Sequence, residues 1–91
     1  MNSEEIKRAL KELIVRECKL PIKPEEIASD EPLFGEGLGL DSVEALSITS
    51  GIEQRFNVVI EDEDGIKEVF RTVNTLAQLV ERLLAEKEAK P

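Results

Sequence analysis

Ser42 is the residue of this chain best placed to be chemically modified. It stands in Gly37-Leu38-Gly39-Leu40-Asp41-Ser42-Val43-Glu44-Ala45-Leu46, where a glycine-rich stretch gives way to an amphipathic run. The first amides of a helix lack intrahelical partners, and its N-terminus carries about half a positive charge, so an oxygen held there can carry or contact a phosphate. Asp41 is expected as the N-cap, with Glu44 three residues on, a capping box with Asp in the place of Ser or Thr. The chain has no histidine. The usual base for a nucleophilic serine is therefore missing, and no Ser-His-Asp arrangement forms. Gly35, Gly37 and Gly39 fall short of the dinucleotide pattern, which needs glycine where Leu40 stands, and no Gly-Lys-Ser/Thr follows. They read as a sharp turn into the helix.

The acidic turn Glu61-Asp62-Glu63-Asp64-Gly65 is the second candidate for chemistry. With Gly65 as the turn glycine of a calcium loop, the loop opens at Ile60 and closes at Arg71, where carboxylates are needed at both ends. That leaves at most a weak divalent-ion site, and a solvated helix N-terminus is the better reading, so no metal ligands are assigned. Cys18 is the only cysteine, which excludes an internal disulfide and a thiolate zinc cluster. It falls on the apolar phase of the first helix and is expected to be core or half-buried.

Helical periodicity supplies the elements that hold Ser42. Ile6, Ala9, Leu10, Leu13, Ile14 and Cys18 recur at three- and four-residue intervals, predicting a helix near residues 3–18 that Pro21 and Pro24 stop. A long ordered loop follows to Leu40, pinned by Ile22, Ile27, Leu33 and Phe34; loops of this length are more often functional than idle. The next helix is expected from Ser42 to about Phe56. Ala45, Ile48, Ile52 and Phe56 form its buried stripe, with Leu46 and Thr49 beside it, and Glu44, Ser47, Gly51 and Arg55 facing solvent. Gly51 costs roughly 1 kcal/mol relative to alanine, and tolerance is slightly favoured over a close helix approach. Asn57-Val58-Val59-Ile60 has no partner strand and reads as a buried connector. A short helix around Asp64 to Val69 precedes a last helix, capped by Thr72 or Asn74, on which Val73, Leu76, Ala77, Val80, Leu83 and Leu84 share a face. Residues 85–91 are expected to fray. The sum is one all-α domain over residues 1–91, an antiparallel four-helix bundle with a long loop between helices 1 and 2 and a short third helix.

The charge is concentrated around the candidate serine. Residues 30–64 hold ten acids against Arg55 alone, while the flanking thirds nearly balance. Such a field repels nucleic acid and anionic membranes and speeds encounter with basic partners. A core for 91 residues buries roughly 60–65% of the unfolded surface, and with three Phe and no Trp or Tyr it must be built of Leu, Ile and Val. No secretory or membrane-spanning run occurs, so a cytoplasmic location is expected; the domain is also expected to be a monomer.

The stretch around Asp41-Ser42-Val43 resembles the attachment site of acyl carrier proteins, whose Asp-Ser-Leu motif presents a serine for 4'-phosphopantetheine; Val43 replaces the commoner leucine. The resemblance runs over most of the chain. It implies a carrier, not an enzyme: a phosphopantetheinyl transferase installs the arm from coenzyme A on Ser42, and the arm's thiol holds acyl groups as thioesters for fatty acid, lipid or specialised metabolite synthesis. Asp41 is the other half of the motif. Acyl-transferring or condensing enzymes with basic surfaces are implied to dock on Val43, Glu44, Ser47, Glu53 and Arg55. Leu46, Ile52, Phe56, Ile60, Phe70 and Leu76 are core positions first, with shelter for an acyl tail as a secondary use. Ser47 and Arg55 stand where the family commonly has acids, which points to a specialised member. Two other readings stay open: an unmodified acidic helical interaction module, and a carrier of aminoacyl or peptidyl groups.

Overall fold

Capping chemistry sets where the helices begin and end. In the computed structural model, which describes residues 2–34, 37–60 and 69–89, α1 spans Ser3–Cys18, α2 spans Ser42–Phe56 and α3 spans Val73–Ala89. Asn2 caps α1: its side chain accepts from the Glu5 amide at 2.8 Å, while the Glu5 carboxylate accepts from the Asn2 amide at 2.9 Å. Two amides that helix geometry leaves open are thereby satisfied. The helix ends on Lys19 in the left-handed region, φ 51°, and the Leu20 amide donates back to the Val15 carbonyl at 3.1 Å, a common way of satisfying final carbonyls.

Of the two caps expected for the last helix, Thr72 fills the role. Its hydroxyl accepts from the Thr75 amide at 3.2 Å and its own amide donates to the Thr75 hydroxyl at 3.0 Å. Asn74 instead uses its amide to reach the Ser29 carbonyl at 3.0 Å, tying the long loop to the start of α3. The segment 85–91, expected to fray, is helical as far as Ala89. Arg82 pairs with Glu86 at 3.7 Å, and the Lys87 ammonium donates to the Asn57 carbonyl at 3.0 Å.

The apolar stripe of α1, Ile6, Ala9, Leu10, Leu13 and Ile14, is buried, and α1 packs against both α2 and α3. From α2 the core takes Ile48, Ile52 and Phe56, and from α3 Val73, Leu76, Ala77 and Val80. Leu83 and Leu84 are half-buried against it, and Leu79, absent from the expected face, is buried as well. Leu13 lies against Gly51, and Cys18 feels the charge of Glu44. Helices α1 and α2 therefore run antiparallel.

Two expectations for α2 are corrected. Leu46 is 67% exposed rather than core, and Gly51 is buried rather than solvent-facing. The buried face is Ile48, Gly51, Ile52 and Phe56, rotated toward Ser47 and away from Leu46. The cause is a close approach: a Cβ on Gly51 would sit 3.0 to 3.2 Å from three Leu13 side-chain carbons. Gly51 lets the two helices meet, the option ranked second from the sequence.

Between α1 and α2 the chain makes one short 3-10 helix, Pro24–Glu26. Ile27 and Leu33 are fully buried, with Ile22 and Phe34 packed against the core at partial burial. The Leu33 amide donates to the Arg71 carbonyl at 2.9 Å, and the Leu40 amide to the Leu33 carbonyl at 3.0 Å. Gly37 passes so close to the Pro32 carbonyl that no side chain fits there, and Gly39 takes φ 71°, which glycine adopts without strain. No strand occurs among the described residues, where Phe34 and Leu40 form an isolated bridge. The connector after α2 is half-buried rather than buried throughout, with Val58 inside and Val59 69% exposed. The acidic turn and, apart from Val69, the short helix expected near residues 64–69 lie outside the described residues. No helix among the described residues is long and apolar enough to cross a membrane.

Candidate functional site

Ser42 is the first residue of α2, and its side chain is exposed. The Asp41 carboxylate accepts from the Glu44 amide at 2.9 Å, and the Glu44 carboxylate accepts from the Asp41 amide at 3.1 Å. This box consumes both neighbouring acids in holding the helix start. It leaves the Ser42 hydroxyl with no hydrogen bond to a described residue. The amides of residues 42 and 43 have no intrahelical acceptor at this position in a helix.

Two large apolar side chains stand exposed on the same end of α2. Val43 is 71% exposed, and Leu46 stands out one turn further along. Beside them a groove of about 780 Å³ is walled on one side by Ser42, Ala45, Leu46 and Thr49, and on the other by Asp30, Pro32, Phe34 and residues 70–72. The α2 wall is the i, i+3, i+4, i+7 set counted from Ser42, so these side chains share one helix face. Its polar groups are largely spent. The Thr49 hydroxyl donates to the Ala45 carbonyl at 2.9 Å, and the Thr72 hydroxyl caps α3.

The residues proposed for shelter from the sequence divide three ways. Leu46 and Phe70 line the groove with Ser42. Ile52, Phe56 and Leu76 are closed in the core. Ile60 lies in a second, separate groove with Val59, Leu79 and Leu83. Pro32, Phe34, Ala45, Thr49 and Thr72 were not picked out as liners; the helical spacing from Ser42 identifies Ala45 and Thr49, whereas nothing local reveals which loop covers that face.

The residues proposed for docking divide as well. Val43 is exposed and Glu44 and Ser47 are half-buried beside Ser42. Glu53, at the other end of α2, accepts from the Ile60 amide at 2.8 Å and so anchors the connector. Arg55 is exposed and lies over the Phe56 ring, 5.4 Å from its centroid, within the range of a cation–π contact. Cys18 is half-buried, and its thiol is pushed up from 9.0 to about 11 by burial, then by the charges of Glu44, Glu17 and Asp41. That makes it a poor nucleophile at neutral pH. Among the described residues, no group of three or more Asp, Glu, His or Cys side chains gathers as a metal site.

A family described as "phosphopantetheine attachment site" matches residues 8–83. The chain is 35% identical over 80 residues to an acyl carrier protein of Petrotoga mobilis, covering 86% of this chain and 91% of that one. It is 33% identical over 72 residues to an acyl carrier protein of Wolinella succinogenes, covering 79% and 88%. It is also 31% identical over 86 residues to acyl carrier protein 1, chloroplastic, of Hordeum vulgare. There it covers 90% of this chain but spans only 56% of the relative's length. A match across most of the chain, with an exposed serine at a capped helix start inside it, places the chain in the acyl carrier protein family, whose members are not enzymes and bear phosphopantetheine as their prosthetic group.

Proposed function

We propose that the Ser42 hydroxyl is the attachment point of the 4'-phosphopantetheine arm, and that the protein carries acyl groups on it for enzymes of fatty acid, lipid or specialised metabolite synthesis. The observation that carries this reading is the uncommitted, exposed hydroxyl at the first residue of α2, its two acidic neighbours already engaged in the cap. A phosphodiester fits there, because the helix end offers open amides and a positive dipole. In the transfer from coenzyme A, the bond from Ser42 Oγ to phosphorus forms, the pyrophosphate bond breaks, and the adenosine bisphosphate portion leaves. Accepting the hydroxyl proton is left to the transferase, since this chain has no histidine. Once bound, the arm supplies a terminal thiol that holds the cargo as a thioester.

The exposed pair Val43 and Leu46, with Glu44 and Ser47, forms the docking surface for the transferase and for acyl-handling enzymes with basic surfaces. Glu53 and Arg55 extend it along α2. Apolar contact supplies affinity, and the acidic charge of residues 30–64 raises the encounter rate. The domain is a cytoplasmic monomer, where coenzyme A and the partner enzymes are at hand. Its architecture, on this reading, is an antiparallel four-helix bundle.

Intact mass measured after incubation with coenzyme A and a broad-specificity phosphopantetheinyl transferase tests the assignment. The expected result is a gain of one phosphopantetheinyl group that disappears in Ser42→Ala. An unchanged wild-type mass, under conditions that modify a control carrier, overturns it.

A further inference from the structure

The helix that begins at Ser42 turns an uncharged face to solvent. Val43, Leu46, Ser47, Ser50 and Gln54 stand at i, i+3, i+4, i+7 and i+11, which helix geometry sets along one side of α2. Ser47 is half-buried and the other four are exposed. On the opposite side Ile48, Ile52 and Phe56 are sealed in the core. Twenty of the 91 residues are acids, yet the outer stripe of α2 carries neither an acid nor a base. The helix keeps its charges on the flanks. Glu44 and Glu53 are half-buried, one oxygen of each tied to the amide of Asp41 or Ile60, and Arg55 lies over the Phe56 ring. Exposed acid beside Ser42 is found instead at Asp41 and, across the groove, at Asp30.

We propose that the enzymes this carrier serves, the transferase included, read the outer stripe of α2 through an uncharged surface, apolar against Val43 and Leu46 and neutral but hydrogen-bonding against Ser50 and Gln54. Their basic groups meet the carrier at the helix start and at the loop beside it. This deepens the docking reading above and rests on attachment at Ser42, which is what brings an arm-handling enzyme to this face. A lysine or arginine laid on the stripe gives up its water with no carboxylate in exchange. An apolar side chain laid there covers Val43 and Leu46, which stand 71% and 67% exposed, and removes their surface from water. The acid of residues 30–64 acts at longer range, on the rate of encounter. The stripe then selects among the partners that arrive, because a wrong surface leaves its charges unpaired.

The test uses two phosphopantetheinyl transferases of known structure, one with a basic docking face and one with an apolar docking face. Each modifies the full chain and its Ser50→Glu/Gln54→Glu variant, followed by intact mass at one salt concentration. Both substituted positions are exposed, and glutamate is a good helix former, so the fold is retained. For each enzyme the variant's kcat/KM is divided by the wild-type value. With the basic-faced enzyme the variant is expected to gain about three- to tenfold, as two new exposed ion pairs allow. With the apolar-faced enzyme it is expected to lose a similar factor, because two carboxylates are then covered without partners. A gain with one enzyme and a loss with the other does not arise from a loosened fold. An unchanged or lower value with the basic-faced enzyme overturns the proposal, and so does an unchanged or higher value with the apolar-faced one. No gain of mass by the wild type with either enzyme, under conditions that modify a control carrier, overturns instead the attachment reading on which the proposal stands.

Discussion

On one face of α2, Ile48, Ile52 and Phe56 are sealed into the core shared with α1 and α3, while Val43 and Leu46 on the opposite side stand 71% and 67% exposed. Both faces are apolar, yet only one is used in folding. The buried face explains why the helix exists and where it sits. The exposed face contributes little to the fold. Its apolar surface adjoins a groove that Ser42 lines, and its burial is left for the docking proposed above. An exposed apolar residue alone means little. Two of them flanking an uncommitted hydroxyl at a capped helix start mean more.

The widest separation between the two faces is expected on truncating each. Ile48→Ala deletes a fully buried side chain and should lose about 2–5 kcal/mol in urea denaturation, whereas Leu46→Ala should stay within about 0.5 kcal/mol of wild type. Equal losses would mean that Leu46 packs in solution and that the two faces are not distinct. The Leu46 variant should instead slow modification by the transferase, a readout the Ile48 variant leaves unchanged while it remains folded.

Next in size comes the contact that orients the buried face. Gly51→Val places its new carbons against Leu13, whose side chain already lies within 3.2 Å of any added Cβ. Overpacking of this kind costs about 1–3 kcal/mol. Leu13→Ala introduced alongside Gly51→Val should restore part of that loss, since residues in contact couple. Strict additivity in the double-mutant cycle would remove the helix contact as the reason α2 is rotated.

How α2 is turned was also the limit of what could be read in advance. The start of the helix was legible because Asp41 and Glu44 are local partners, and the α1 stripe because every third or fourth residue is apolar. Leu46 and Gly51 were assigned to the wrong sides because both lie on boundaries of the apolar arc. There, hydrophobicity alone assigns leucine inward and gives glycine no preference. The missing information was tertiary: the volume of Leu13, and the loop carrying Pro32 and Phe34 along the far side of Leu46. Likewise the long loop was recognisable as ordered from Ile27 and Leu33, but its role as a groove wall depends on the Leu33 amide reaching Arg71. That pairing has no local signature.

A smaller effect is expected at the start of the helix. Asp41→Ala removes both the oxygen that accepts from Glu44 and the reason the box closes, for a loss of about 1 kcal/mol. Asp41→Asn keeps an oxygen in place and should recover most of it. If both variants lost the same amount, the negative charge at the helix end, rather than the cap, would be what Asp41 contributes.

Cys18 reports on the same helix start from the end of α1, and gives the smallest signal. Its thiol is held up at about 11 instead of 9.0, first by burial and then by Glu44, Glu17 and Asp41. The folded form therefore keeps a proton that the unfolded chain releases, so its contribution to stability is complete below pH 9.0 and is lost as pH rises toward about 11. Because the group is only half-buried, solvent screening keeps that contribution small. The rate of alkylation by iodoacetamide, which follows the thiolate, should have its midpoint near 11 in the folded protein and return to about 9.0 in urea. Glu44→Gln should lower the folded midpoint without restoring the free value, because burial is the larger cause. A folded midpoint at or below 9.0 would place Cys18 in open solvent, and with it would go the apposition of the end of α1 and the capped start of α2.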